Sequence, residues 1–373
     1  MTKPKPRGPE RDHLRFCFAL HRAVSGKGDS CFSPYSVASA LGLTSQAAAG
    51  ETARELVGLL AGTDADVTKQ AELLRAAATL EQPAHREPPV LEVSNTLWAA
   101  EDLPLNEDFL GQLAAWPNGG VKPAPFGTDP DGARRAINAD VAETTRDLIP
   151  ELLQPGSVGA DTVASLVNAL YLKVAWLHPF SEHSTKPADF HSPSGTRRVP
   201  MMHLSERLSY AAHDGWQLVE LPGVGEANAL VLLPDKDLAD AESTLDEDGL
   251  AKLLSVKAQR QVRLSMPKVD LEMRAELKPA LAGLGVRSMF RPDADFTPLT
   301  PDERLCVDDV VHQSVLRVGE QGFEGAAATA VTMRLAAMIG GDPVDLVLDR
   351  PFLLLVRHAP TGVVYFFARV VEP

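Results

Sequence analysis

Apolar residues recur at helical spacing through residues 12–24, where Leu14, Phe18, Leu20 and Ala23 form one stripe ahead of a Ser-Gly stop. Ser33-Pro34 predicts a second helix, with Ser33 as N-cap and Pro34 at the first helical position, where its missing N–H costs nothing. That helix carries Val37, Ala40, Leu41 and Leu43 and breaks near Gly50. A third starts at Glu51 and carries Leu56, Val57, Leu59 and Leu60. Residues 90–99 read as a strand and residues 131–153 as a helix. Residues 163–176 are apolar almost throughout around a lone Asn168, which suits a strand buried on both faces, although periodicity also allows a helix. The second half is richer in strands, at residues 216–221, 229–233 and 261–269. In the last, Val262, Leu264 and Met266 point one way and Arg263 and Ser265 the other. Residues 352–356 and 363–371, joined by Pro360-Thr361-Gly362, predict a hairpin of core strands. Helices early and strands late, with no flexible linker and no repeat, argue for an α+β fold in one interwoven unit.

Composition changes that picture little. The 373 residues are 45% hydrophobic and 23% charged, ordinary for a globular chain, which excludes collagen, coiled coil and wholesale disorder. Length alone suggests about two domains. Fifty acidic against 36 basic residues leave a net charge of −14, so no nucleic-acid partner is expected. The only basic bias, at Lys3, Lys5, Arg7, Arg11, Arg15 and Arg22, reads as a solvated tail leading into an exposed helix face. No apolar run reaches the ~18 residues of a spanning helix, so no membrane partner is expected. The start is polar and Pro-rich without a signal-like segment, so a cytoplasmic location is expected, with secretion of a trimmed precursor as the alternative. Cys17, Cys31 and Cys306 are scattered and read as reduced, packed thiols. Ten histidines without close ligand spacing give no metal site, and no cofactor is expected. An Ala-rich, Lys-poor composition suggests a bacterial gene.

No catalytic motif persuades. Ser265-Met-Pro-Lys268 matches Ser-x-x-Lys, but that chemistry needs the Ser to open a helix, and here it sits in an alternating strand. Gly223-Val-Gly225 lacks a third glycine and a βαβ setting. No enzyme is expected. The segment 320–343 is the odd one. Its alanines favour a helix, yet at period two it divides into a face with Phe323, Gly325, Ala327, Thr329, Val331, Met333 and Leu335 and a face holding both Glu324 and Arg334. A chain with small residues early and one uncharged face can enter a sheet as an extra strand.

At this point the sequence resembles the serpin family from about residue 12 to residue 373. The resemblance rests on ordered motifs: Phe32-Ser33-Pro34-Tyr35-Ser36, Asn95-Thr96-Leu97-Trp98 and the run Leu166-Val167-Asn168-Ala169-Leu170-Tyr171 continuing to Trp176. Val199-Pro200-Met201-Met202, Leu221-Pro222, Leu233-Pro234, Ala294-Asp295-Phe296 and the hinge from Glu320 to Thr329 follow. Arg350-Pro351-Phe352 and the closing stretch from Phe366 complete the set. The resemblance implies a serpin fold of three β-sheets with eight to nine helices and an exposed reactive loop, here about residues 323–343. It replaces two domains by a flexible tail of residues 1–11 and a single domain of residues 12–373.

It also implies a function. A target protease attacks the loop and forms an acyl-enzyme, and the cleaved loop then inserts into the main sheet and traps it. Glu320, Gly322, Phe323, Gly325, Ala326, Ala327, Ala328 and Thr329 correspond to the hinge, with Gly322 as pivot and Thr329 facing inward. Ser33, Ser36, Asn168 and His312 correspond to the polar cluster where the sheet opens. Trp176 and Lys268 correspond to the loop-entry region, and Lys268–Glu320 to an ion pair there. Taking Glu320 as the seventeenth residue before the cut places the reactive bond at Ala336–Ala337, with Arg334–Leu335 as the rival. Alanine suits an elastase-like or subtilisin-like serine protease, and arginine would imply a trypsin-like one. A monomer without a heparin-type activator is expected. Three departures stand out. Phe323 replaces a usually small hinge residue, which favours the alternative of a non-inhibitory binding, carrier or chaperone-like serpin. Asp140 replaces an aromatic, and Asp147-Leu148 a Gly-Lys pair.

Overall fold

The computed structural model describes residues 8–62, 67–113, 119–301, 305–307, 310–324 and 342–373. Nine α-helices occur among them: α1 (Pro9–Val24), α2 (Pro34–Ala47), α3 (Gly50–Ala61), α4 (Val67–Ala77), α5 (Glu107–Leu113), α6 (Pro130–Thr144), α7 (Leu238–Glu242), α8 (Glu247–Val256) and α9 (Lys278–Gly283). Helix α1 starts three residues inside the expected tail, because Pro9 suits a first turn and Glu10 and Asp12 favour its positive end. Helix α2 starts as anticipated: the Ser33 hydroxyl accepts a 3.2 Å bond from the Ser36 amide.

The strands are β1 (Ser30–Phe32), β2 (Val90–Ala100), β3 (Gly119–Ala124), β4 (Ala164–Ala175), β5 (Lys186–Ser192), β6 (Gly195–His213), β7 (Trp216–Leu221) and β8 (Ala227–Pro234). They continue with β9 (Ala258–Pro267), β10 (Val269–Glu276), β11 (Val311–Val318), β12 (Gly322–Phe323), β13 (Val344–Val347), β14 (Phe352–His358) and β15 (Val364–Val370). One sheet has the order β10-β11-β12-β4-β2-β3. The other runs β1-β15-β14-β8-β7-β6-β9-β13, with β5 on β6. Two of the three expected sheets are thus continuous. The first part of the 19-residue β6 pairs β5 and its last part pairs β7, with β9 between, so one long strand belongs to both.

Two expected elements change. The helix expected over residues 131–153 ends at Thr144, and Arg146 and Asp147 take left-handed φ of 51° and 62°. The apolar signal persisted because Ile149, Leu152 and Leu153 do reach the core. Their backbone is held by side chains instead: Asn138 bonds both N and O of Leu153 at 2.8 Å, and the Thr145 hydroxyl accepts from the Ile149 amide. The strand expected over 261–269 is two strands in different sheets, since β9 ends at Pro267 and Lys268 bonds back to Pro200 O at 3.1 Å. Buried residues alternate on both sides of the break but change phase at Met266–Pro267, where two neighbours are buried in succession, and the pattern reading passed over that shift. Cys17 and Cys31 are buried, but Cys306 is exposed while its neighbour Leu305 takes the buried position.

The main core lies between the sheets and under α1 and α2, built on the nearly inaccessible β14–β15 hairpin. A second core lies on the other face of the six-stranded sheet, where α6 packs Ala133, Ile137 and Val141 on Trp98, Val167 and Ala169. Along β4 Leu170, Leu172 and Val174 therefore face the main core, while Val167 and Ala169 face α6.

Candidate functional site

The site is the top of the six-stranded sheet, where the chain leaving β11 turns at residues 319–321 and comes back as β12 between β11 and β4. Phe323 pairs antiparallel with Val174 on one side and Val318 on the other, and Gly322 pairs with Ala175. Below this wedge, β4 and β11 form no ladder with each other among the described residues.

Trp176 holds the turn. Its indole N–H donates to Gly319 O at 2.9 Å and its amide to Gln321 O at 2.8 Å. The Phe323 ring is buried and meets Trp176 edge-on, centroids 4.6 Å apart at 63°. Such contacts add about 0.5–1.5 kcal/mol beyond area burial. The ring expected to stand in the way of insertion is thus already seated at the sheet's upper end. Phe323→Ala is expected to weaken hinge docking by about 3 kcal/mol, raising local opening about a hundredfold. Hydrogen exchange of the peptide spanning residues 320–324 checks this, and unchanged protection would refute it.

Gly322 was expected as a pivot, but close contact explains it. At φ 153° an added Cβ would lie 2.0 Å from Val174 O, with backbone on the β4 side leaving no room for it to shift. Glu320 is buried beside it, and its carboxylate meets Lys268 Nζ at 2.9 Å and the Thr185 hydroxyl at 2.8 Å. Burial alone pushes this carboxyl up. The Lys268 ammonium, the Glu320 amide and the Thr185 hydroxyl outweigh it and hold the group below the usual carboxylate range. Lys268 is 44% exposed, so the pair contributes about 1 kcal/mol or less and acts mainly as a register mark.

The four residues expected at the opening point separate into two groups. Ser33, Ser36 and His312 are joined, since the Ser33 amide donates to His312 Nε2 at 3.0 Å and the Ser36 amide to the Ser33 hydroxyl. Asn168 bonds Asn95 on β2 instead, at 2.6 Å, and its own Oδ1 accepts no hydrogen bond. Asn95 figures only in a family motif, and among Glu92, Ser94 and Thr96 of the same strand nothing local marks it as the partner of Asn168. Thr185 and Phe180, whose amide donates to Glu320 O at 2.9 Å, carried no signal, since only the fold brings them to the hinge. Gly325, Ala326, Ala327, Ala328, Thr329, Arg334, Leu335, Ala336 and Ala337 lie outside the described residues.

Ser265 and Lys268, the one Ser-x-x-Lys match, are not brought together as a reacting pair. Ser265 bonds His203 at 2.9 Å on an open strand face, and Lys268 is committed to Glu320. Among the described residues no group of three or more His, Cys, Asp or Glu could hold a metal ion. No helix there is long and apolar enough to cross a membrane.

A split main sheet with a returning strand wedged at its top defines a class of protein, and comparison with known sequences gives its family. The model of the family "Serpin (serine protease inhibitor)" matches residues 12–373, and the chain belongs to that family. It is 31% identical over 364 residues to an uncharacterised serpin-like protein of Thermococcus kodakarensis, covering 96% of this chain and 84% of the relative. It is 29% identical over 360 residues to the leukocyte elastase inhibitor of Bos taurus, covering 93% of each. The structure of human thyroxine-binding globulin with thyroxine superposes with a TM-score of 0.85 at 25% identity over 98% of each chain. The family thus includes inhibitors and a hormone carrier on one fold.

Proposed function

We propose that this chain inhibits a serine protease as a suicide substrate. The observation that supports this reading best is the register of β12. Phe323 lies opposite Val174 and Val318. Six residues on from Phe323 is Thr329, and six back along each neighbour are Asn168 and His312. A loop continuing β12 in register brings Thr329 between the open acceptor of Asn168 and the His312 ring, facing the main core. The same parity puts Gly325 and Ala327 inward and sends Glu324 and Arg334 outward, which buries no charge.

The protease serine attacks the scissile carbonyl, an ester forms, and the peptide amine leaves with the C-terminal side of the loop. Insertion of the N-terminal side between β4 and β11 then carries the esterified enzyme away before water cleaves the ester. The reactive bond is Ala336–Ala337, which suits an elastase-like or subtilisin-like enzyme, and Arg334–Leu335 is the rival for a trypsin-like one. Mixing with one protease of each kind should give an SDS-stable complex, and mass spectrometry of the released peptide locates the bond. A sole cut after Arg334 would overturn the alanine assignment.

A carrier or other non-inhibitory role is the second reading. It is favoured by the likeness to thyroxine-binding globulin. Clean cleavage without complex across several proteases would establish it instead.

A further inference from the structure

Glu324 stands where β12 ends, and it is a residue under strain. Its φ is 57°, a left-handed conformation that costs a non-glycine residue on the order of 1 kcal/mol. Its amide is still in the ladder, donating to Arg317 O at 2.7 Å. The side chain is half-buried in the narrow cleft below β12, against Tyr171 and Leu172 of β4, Arg317 of β11 and Leu148 of the segment following α6. Its Oε2 atom is buried there and accepts no hydrogen bond.

The charged and titratable groups around it come from every neighbouring element. Strand β4 brings Tyr171 and Lys173, β11 brings Arg317, and the turn after α6 brings Arg146, whose guanidinium lies 4.8 Å from the Tyr171 ring centre. Each cation is already engaged elsewhere: Arg146 with Glu92 on β2 at 2.6 Å, Lys173 with Glu87 at 2.9 Å and Arg317 with Asp270 on β10 at 3.3 Å. Burial raises the Glu324 carboxyl above its usual range, against the pull of the Tyr171 hydroxyl and the three cations. Burial likewise lifts the Tyr171 hydroxyl to about 12, with Glu324 adding to it.

Insertion changes these surroundings in a defined way. An extended residue 324 sits opposite Lys173 and Arg317, one step below the Val174–Phe323–Val318 row, and points with them to the outer face. Opposite charges directly across strands favour each other and favour the ionised carboxylate. The parked conformation therefore holds the proton better than the inserted one.

We infer that Glu324 is a positioning residue that makes loop insertion proton-dependent, its ionised carboxylate leaving the strained turn to lie between Lys173 and Arg317 while the protonated form stays parked. The inference rests on the insertion mechanism proposed above. Insertion releases a proton, so it is favoured as pH rises through the Glu324 titration and slowed in acid. A one-unit difference in proton affinity between the two conformations corresponds to about a tenfold change in their ratio.

Glu324→Gln fixes the neutral state, and two measurements on the full-length chain test the inference. In the first, a serine protease active at both pH 5 and pH 7.5 is mixed with either form, and the ratio of SDS-stable complex to cleaved inhibitor is read. Comparison at equal pH cancels the protease's own profile. The expected result is a ratio about tenfold lower for Glu324→Gln at pH 7.5, with the two forms drawing together as pH falls. Wild type and variant running in parallel at both pH values would overturn the inference while leaving the inhibitory mechanism intact. The second needs no protease. Hydrogen exchange of the peptide spanning residues 320–324 should show wild-type protection rising about tenfold relative to the variant as pH rises to 7.5, because the extended, ionised residue lengthens β12 in the ladder. Should no complex form with any protease, the inhibitory reading fails and the exchange difference alone decides: its presence supports the proton-coupled hinge, and identical exchange sinks it.

Discussion

A Thr329→Arg variant is expected to be cut by the target protease at the same bond as wild type and to give no SDS-stable complex. The register that starts at Gly322–Ala175 and Phe323–Val174 carries position 329 to Asn168 and His312, on the face lined by the main core. A guanidinium delivered there loses its water and finds an amide and a buried imidazole but no carboxylate. An unpaired charge in such a place costs several kcal/mol. A penalty of about 3 kcal/mol on the insertion step slows it about a hundredfold. Ester hydrolysis then wins, and the inhibitor becomes a substrate. Thr329→Val is the control, since it keeps the shape and forfeits at most one hydrogen bond, worth about 1 kcal/mol. It should still form complex. Complex formation by the arginine variant at the wild-type level would show that position 329 never enters the sheet.

Acidification between pH 6.5 and pH 4 is expected to destabilise the protein steeply, through two buried histidines. Burial lowers both His13 and His312 from 6.5 to about 4. In each, Nε2 accepts a backbone amide at 3.0 Å, from Val364 to His13 and from Ser33 to His312, so the neutral ring is the bonded form. Below pH 6.5 the unfolded chain takes up these two protons and the folded chain does not. The stability they confer is complete above about pH 6.5, falls as pH drops, and is lost once pH passes below about 4. Each ring contributes on the order of 3 kcal/mol over that window, at about 1.4 kcal/mol per pH unit. The urea midpoint and the unfolding rate, measured from pH 7 to pH 4, report it. His312→Asn and His13→Asn should each remove about one proton from the slope. A midpoint flat across this window would refute the assignment. The carboxylates held below their usual range, Glu220, Glu242 and Glu320, lose their contribution at lower pH, which separates the two effects.

What was legible in the chain follows from the range of the forces involved. The Ser33 cap and the Pro34 start of α2 depend on atoms within one turn, and they were read correctly. The β14–β15 hairpin and the buried β4 were read from hydrophobicity, because burial of a whole strand leaves a continuous apolar run. The failures have the opposite character. Helix α6 stops at Thr144 because Asn138 and Thr145 divert the backbone while the apolar periodicity continues. The β9–β10 break was missed because its only local mark is a one-residue change of phase at Met266–Pro267 inside an otherwise alternating run. Cys306 looked like its buried counterparts because residue type says little about exposure at a single position.

The hinge shows the same division. Period-two reading of residues 323–335 separated an uncharged face from a charged one, and a loop continuing the β12 register would turn the first face to the core. Its partners, however, come from far along the chain: Val174, Trp176 and Thr185 on one side, Lys268 and Val318 on the other. Phe323 illustrates the limit. As a residue type it reads as an obstacle to entry, yet against the Trp176 ring it is the anchor of the first inserted pair.

By itself the sequence determined which segments could be helix or strand, that one face of residues 323–335 carries no charge, and which family the ordered motifs resemble. Those properties are carried by neighbours in the chain and by the pattern of side chains along it. Only the tertiary structure decided that β12 is already wedged between β4 and β11, that Asn168 turns to Asn95 and keeps an acceptor open, and that Glu324 is held in a left-handed turn. Each of these depends on contacts between different strands of the folded chain or on the exclusion of water by their packing, and neither is encoded at any single position.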